Sequence, residues 1–463
     1  MTDRTGARGM PQRFFGLAAR GTDVRTEIIA GATTFMTMAY ILFVNPAILG
    51  AVADPTGARL AASAVLTSTA LVACAATLAM GLLANLPLAL AAGMGLNSVV
   101  AFQLVAGMKL TWPQAMGVIV AEGLTITALV ATGLRQAVVR AVPASMKKAI
   151  GIGIGLFLAI IGFVDAGFVS RSPADPVPVA LGTGGHLRGL PILLFAGTLL
   201  VTAALVQRNV KGALLLGMAA STAAAIVAKL ALGDASGFRP GEAVLPGSPF
   251  ALPDFSQLGR FDLGFGRTLG AGTAVLVTFS LMLSDFFDTV GTVVAVGQEA
   301  KYLDAEGNYP RAGTVLMVDS LAAVAGGAAG ASSATTYVES AAGAAAGGRT
   351  GLASVVTALL FAACLFISPL AAVVPPQATG AVLVLVGFLM MRDVGSLPWD
   401  DATEAIPAFL VLAVMPFTYS ITNGIGAGFV SWVLLKALAG RGREVRPLML
   451  AAAVAFVVYF ATV

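Results

Sequence analysis

Polar positions are scarce along this chain and fall at intervals, separating apolar runs of roughly the length a helix needs to cross a bilayer, about 20 residues. Runs of this kind cover 28–49, 61–83, 115–133, 191–206, 212–231, 352–372 and 376–391. Fourteen spans are expected in all, at 27–49, 61–83, 87–104, 115–133, 142–164, 191–206, 212–231, 270–297, 312–330, 334–347, 352–372, 376–391, 403–421 and 423–438. A fifteenth apolar piece, 448–462, is short for a full crossing and fits either an interfacial helix or a tilted extra span. Three stretches break the pattern from within: 91–98, 284–292 and 331–340 place glycines, hydroxyls, an amide and carboxylates inside otherwise apolar segments. An ionisable group at membrane depth is costly and marks a substrate or ion pathway, and irregular backbone there is tolerated around an internal cavity.

Composition agrees with the pattern. Of 463 residues, 58% are hydrophobic and 11% charged, with a mean hydropathy of +0.91, against about 25% charged in soluble domains. The first 26 residues are polar and basic and run into a long apolar helix, so no cleaved leader is expected. The two cysteines, Cys74 and Cys364, lie in apolar runs without metal or redox spacing and read as core packing.

The net charge of +4 is modest, but its placement carries information. Arg4, Arg8, Arg13, Arg20 and Arg25 precede the first span, and Arg135, Arg140, Lys147 and Lys148 lie between the fourth and fifth. Arg208 and Lys211 separate the sixth and seventh, Lys301 and Arg311 the eighth and ninth, and Arg441, Arg443 and Arg446 follow the fourteenth. If spans alternate, these loops share one side. Cytoplasmic loops gather Lys and Arg, so the amino terminus is expected in the cytoplasm of a cell-membrane protein. Cations spread over membrane-edge loops do not suit nucleic acid.

The division expected is a cytoplasmic segment 1–26, a first seven-span repeat 27–231, an extracytoplasmic loop 232–268, a second seven-span repeat 269–438, and a basic loop with the last hydrophobic segment, 439–463. The other long polar connection, 165–190, holds the single histidine, His186, which reads as a solvated loop residue. The halves echo each other. Ala-Val-Pro at 141–143 returns as Val-Val-Pro at 373–375, and 207–213 as 421–427. The third and tenth spans are both short, glycine-rich and interrupted. Seven spans per repeat would set the second half upside down, and inverted repeats with matched broken helices are the pattern of a secondary transporter. The fold class expected is therefore an all-α polytopic membrane protein of about fourteen helices in two inverted seven-helix repeats, with short extended segments in spans 3 and 10.

Each interrupted stretch has its own chemistry. On the eighth span Asp285, Asp288 and Thr289 are spaced i, i+3, i+4 and are expected on one helical face. Two neighbouring carboxylates in a low-dielectric site do not both ionise cheaply, so one is expected to hold a proton that moves with the substrate. In the tenth span the run Thr335-Thr336-Tyr337-Val338 favours extended backbone, with a half-helix starting near Glu339. The Glu339 carboxylate offers two oxygens to a pair of N–H donors, which a nucleobase edge presents, while Ala331–Ser333, Ser333 included, supply groups for the base's acceptors. In the third span Gly93 and Gly95 let the chain break and approach a ligand, and Asn97 adds an uncharged donor and acceptor. Glu122 and Asp319 are expected to face protein, either as structural partners of hydroxyls, the preferred reading, or as coupling residues; Asn45-Pro46 reads as a kink or terminus, and Gly151, Gly153 and Gly155 as points of close helix packing.

The opening run from Arg20 to Pro46, together with Ala92–Asn97, Asp285–Thr292 and Thr335–Ser340, resembles the adenine/guanine/hypoxanthine permeases, a branch of the nucleobase–ascorbate transporter family. The resemblance implies a core domain of spans 1–4 and 8–11, a gate domain of spans 5–7 and 12–14, and proton-coupled purine uptake by an elevator-like movement. It also implies, for many members, a homodimer. Base-holding roles map to Asp285, Glu339 and Asn97, with Thr289 a polar neighbour one turn from the eighth-span acid. Thr336, Ser333 and Gly95 complete the expected binding set, and Asp285 and Asp288 the proton-coupling one; no cofactor beyond the co-transported proton is expected.

Three other classes fit the sequence less well. An anion exchanger of the same fold is disfavoured by acids where an anion would bind. An intramembrane enzyme lacks a His-Glu-x-x-His motif or a nucleophile–base pair in the spans. An open channel suits broken half-helices around paired acids less well than an occluded site.

Overall fold

The computed structural model describes residues 10–133, 142–170, 179–182, 185–238, 242–300, 302 and 311–462. Arg4, Arg8, Arg135, Arg140 and Lys301 of the basic loops, and Ala141 of the first echo, lie outside the described residues.

The first half runs α1 (Val24–Gly50), α2 (Ala62–Ala84), β1 (Leu90–Ala92), α3 (Met94–Gly107), α4 (Trp112–Ala131), α5 (Ala144–Asp165), a small hairpin of β2 (Val169–Ser170) and β3 (Ala180–Leu181), α6 (Leu190–Gln207) and α7 (Ala213–Leu232). The second runs α8 (Ala271–Glu299), α9 (Ala312–Ala329), β4 (Ala334–Thr336), α10 (Ser340–Ala345), α11 (Gly351–Ala372), α12 (Pro376–Met390), α13 (Ala402–Thr418), α14 (Ile421–Leu438) and α15 (Pro447–Thr462). Among the described residues eleven helices are long and apolar enough to cross a membrane, while α3, α13 and α15 are shorter apolar helices. The protein is a mainly helical, multi-pass membrane protein. Helix α15 buries Met449, Ala452, Ala453, Phe456 and Tyr459 and leaves Leu450, Val454 and Val457 exposed, so it packs by one face only.

At the centre β1 and β4 pair antiparallel, Leu90 opposite Thr336 and Ala92 opposite Ala334. The ladder is extended by Gly93 N–H to Ser333 O (2.8 Å) and Tyr337 N–H to Ala89 O (2.9 Å). Hydroxyls take up amides the short ladder leaves over: Thr77 Oγ1 accepts from Leu90 N–H and Ser340 Oγ from Ala89 N–H. Backbone polarity is thereby satisfied inside the protein, which is what permits strands at membrane depth.

Glycines set how closely the helices approach. A Cβ on Gly155 of α5 would sit 2.7 Å from Gly387 O of α12, and one on Gly387 would sit 2.4 Å from Gly155 O; Gly162 and Gly380 repeat the contact at 2.4 and 2.6 Å. On α4, Gly123 abuts the backbone of Val324 in α9, as Gly327 of α9 abuts that of Val120. Such small residues let membrane helices pack backbone to backbone. The close packing expected of Gly153 and Gly155 is present, Gly153 lying against Met415, but a Cβ on Gly151 would meet open space. The α1 break also differs in place: the helix turns at Ala39–Tyr40, ahead of Pro46, which sits within the following helical stretch. Asn45 holds that stretch in place by donating to Thr69 Oγ1 (2.8 Å) and Ala331 O (3.1 Å).

The connection after α7 is a strap rather than a free loop. Ala251, Gly259 and Asp262 N–H donate to Phe366, Ala328 and Pro113 carbonyls, and Asp254 N–H to Thr67 Oγ1, tying the ends of α11, α9, α4 and α2 together. At the other end of α14 a buried Lys436 pairs with Glu404 (2.7 Å) and Glu444 (2.8 Å), and Arg441 bridges Asp401 and Glu444.

Candidate functional site

The interrupted segments converge on one cavity. Gly93, Met94, Gly95 and Leu96 enter it from the β1–α3 turn, Thr335, Thr336, Tyr337, Val338 and Glu339 from β4 and the turn into α10, and Ser284, Asp288 and Thr292 from α8. The opposite wall is apolar: Ile154 and Leu158 of α5, Val386 and Met390 of α12. Because side chains alternate along a strand and repeat every three to four residues along a helix, the two pleated turns and one face of α8 deliver polar groups to a single wall. No described residue lining the cavity is Lys, Arg or His.

The two acids that reach the cavity are Asp288, which is exposed into it, and Glu339, which is half-buried. Glu339 Oε1 accepts from the Tyr40 hydroxyl at 2.5 Å, so α1 orients this carboxylate through one of its two oxygens. The half-helix behind it, α10, has six residues, and Glu339, at its N-cap position, makes no capping bond with its side chain.

Behind the cavity wall lies a second, closed polar layer. Asp285 and Thr289 share one face of α8, as expected, but Asp288 turns away from them into the cavity, so the three do not form a single surface. Asp319 of α9 organises this layer: Oδ2 accepts from Thr289 Oγ1 (2.7 Å) and Oδ1 from Thr336 N–H (3.0 Å), while Thr289 and Thr335 hydroxyls bond to each other at 2.7 Å. Asp319 is therefore the anchor of β4, the structural role expected of it. Ser333 Oγ–H donates to Asp285 Oδ2 at 3.3 Å. Asn97 is 0% exposed, and both of its side-chain polar atoms lack a protein partner.

Of the residues singled out in the sequence, Gly95, Asp288, Thr336 and Glu339 line the cavity, while Asn97, Asp285, Thr289 and Ser333 stand directly behind it. Tyr40 as the partner of Glu339 and the apolar residues of α5 and α12 were not singled out in the sequence, whereas Ser284, Thr292 and Thr335 fall within the interrupted stretches 284–292 and 331–340 but carried no assigned role there. Tyr40 carried a usable signal, since a phenol buried in an apolar span needs a hydrogen-bond partner. His186 is exposed and outside the site.

Comparison with known proteins places this geometry in context. A model of the Permease family matches residues 25–427. The adenine permease AdeP of Escherichia coli is 38% identical over 457 residues, covering 98% of this chain and 97% of that one. The guanine/hypoxanthine permease PbuG of Bacillus subtilis is also 38% identical, over 96% of this chain and 98% of its own. Among solved structures, the transmembrane domain of the cyanobacterial bicarbonate transporter BicA superposes with a TM-score of 0.62 at 15% identity, over 87% of this chain and 97% of that one. That last likeness is one of fold.

Proposed function

The chain belongs to the Permease family, in the branch of the adenine and guanine/hypoxanthine permeases, and from that membership we propose that it takes up purine nucleobases across the cell membrane together with protons. The observation that carries the reading is the pairing, across one cavity, of two carboxylates with an aliphatic wall. A purine is flat, with apolar faces and an edge of N–H donors. Glu339 Oε2 and Asp288 accept from that edge, while Ile154, Leu158, Val386 and Met390 cover the faces. Gly93 and Gly95 allow the ring to approach the backbone, and Thr335 and Thr336 serve the ring nitrogens. Asn97 stands ready behind Gly95, Asp285 and Ser333 behind Asp288, and Thr289 secures the strand beneath.

An anion exchanger of this fold would need a cation or a neutral lining where Asp288 and Glu339 stand. The acids therefore favour the base over the anion, although solved neighbours of this fold include a bicarbonate transporter.

The mechanism that fits is an elevator: a core of α1–α4 and α8–α11 carrying the site past a gate of α5–α7 and α12–α14, each half contributing seven segments in inverted order. The register that sets Pro143 on Pro375, each just before its helix, also sets Gly155 on Gly387, and these two glycines touch. A residue meeting its own counterpart is what a twofold relation between halves produces. Under this reading the amino terminus is cytoplasmic and the gate faces are open to pairing with a second copy.

The test is uptake of radiolabelled adenine, guanine, hypoxanthine, xanthine and uracil into cells lacking their own nucleobase carriers, with and without a protonophore. Protonophore-sensitive accumulation of a purine is expected. Uptake of none of the bases would return the fold to the anion-transport reading.

A further inference from the structure

We infer that Glu122 of α4, a residue that lines no part of the cavity, holds the coupling proton jointly with Asp285; the inference rests on the purine-symport reading above and extends it. Other buried acids among the described residues have donors. Glu27 is 0% exposed and accepts from the amides of Arg349 (2.8 Å), Thr350 (3.3 Å) and Ala353 (3.2 Å). Asp319 is engaged at both oxygens. Glu122 is likewise 0% exposed, yet neither of its oxygens is met by a protein donor in hydrogen-bond geometry, and Asp285 Oδ1 is in the same condition.

The two carboxyl groups are each other's neighbours. Facing Glu122 are Asp285 from α8, Asp319 from α9 and the Ser333 hydroxyl from the turn before β4; facing Asp285 are Glu122, Ser333 and Thr335, with Asp288 and Asp319 nearby. All the charged groups in both sets are acids. Close packing of Gly123 on Val324 and of Gly327 on Val120 holds α4 against α9 and leaves Glu122 little room to turn away.

Two ionised carboxylates side by side in a low-dielectric interior repel each other. One shared proton turns that repulsion into an O–H···O⁻ hydrogen bond, and the pair then titrates as a unit. The step balances simply. A proton from outside water forms an O–H bond on the pair, lowering its charge from −2 to −1. The bond breaks when the site faces inward, and the proton passes to water on that side. Asp288, one turn along α8 from Asp285 and open to the cavity, connects the pair to the base.

The experiment uses the full chain in proteoliposomes with a trapped pH dye, adenine, guanine and hypoxanthine as probes, and radiolabelled purine exchange measured in parallel. The wild type is expected to acidify the lumen when purine is added. In E122Q acidification should fall at least about fivefold, within the usual range of coupling free energies, while purine exchange persists, and E122D should restore acidification. If E122Q acidifies as the wild type does, Glu122 is not the proton holder. If exchange and acidification fall together in E122Q, the side chain is structural. If E122Q does not fold, the pH profile of uptake by E122D decides: a displaced midpoint supports the assignment and an unchanged one overturns it. A wild type that exchanges no purine overturns the base reading and this inference with it.

Discussion

Carboxylates at membrane depth are distinguished here by the donors around them, and the difference separates binding from architecture. Glu339 has one oxygen held by Tyr40 and stands in the cavity. Glu339→Gln keeps the shape but replaces one acceptor with a donor, so the Tyr40 hydroxyl and the base's N–H compete for a single oxygen. Purine affinity is expected to fall by about 2 kcal/mol or more, some thirtyfold, the usual cost of an unmade charge-assisted bond; equilibrium binding to purified protein at wild-type affinity would remove Glu339 from the site. A different acid governs stability outside the membrane. Asp54, in the α1–α2 connection, is buried, which by itself disfavours its charge, but the Thr56 hydroxyl and the amides of Trp112, Ala58 and Thr56 outweigh that and hold its carboxyl below the usual range. A depressed folded value means that the stabilisation is complete above the unfolded value, about 4, and is lost as pH falls through the folded one. The gap in melting temperature between wild type and D54N should therefore be widest near neutrality and close below about pH 4; a gap constant with pH would assign the effect to packing.

At the scale of elements, β1 and β4 and the α5–α12 pair do most of the positioning. The β-favouring run Thr335–Val338 was readable as extended chain; the structure bears this out for Thr335 and Thr336 in β4, while the chain already turns at Val338 and Glu339. Its partner was not readable. Leu90–Ala92 contains only leucine and alanine, which suit a helix equally well, and it is a strand because β4 lies beside it. For α5 and α12, Gly387→Val would place its Cβ 2.4 Å from Gly155 O, a backbone atom that moves only if the helices part. A loss of about 1–3 kcal/mol, typical of overpacking, is expected as a lower melting temperature in detergent. Gly151→Val, pointing into open space, is the control that should leave it unchanged.

For the whole molecule, the proposed movement of core past gate has a direct handle where α3 meets α5. A Cβ built on Gly95 lies 3.9 Å from Ile154 Cβ, within the usual disulfide range of about 3.5–4.5 Å. Gly95 and Ile154 both line the cavity, so the readout is cross-linking and not uptake. In a background with Cys74 and Cys364 replaced, G95C/I154C is expected to cross-link on oxidation, and the cross-linked fraction to fall when purine and a proton gradient drive the core past the gate. A cross-linked fraction indifferent to both would rule out sliding at this contact. The sequence alone determined the membrane class, the family and the three interrupted segments, because hydropathy, charge scarcity and local motifs are properties of contiguous residues. It also singled out most of the acids. Only the tertiary structure decided which of them touch the cavity, that Tyr40 holds Glu339, that Asp319 anchors a strand while both Glu122 oxygens are left without a protein donor, and that α5 and α12 supply the apolar wall. Those outcomes depend on which donor or surface arrives from tens or hundreds of residues away, and burial without a partner is a property of the packed whole.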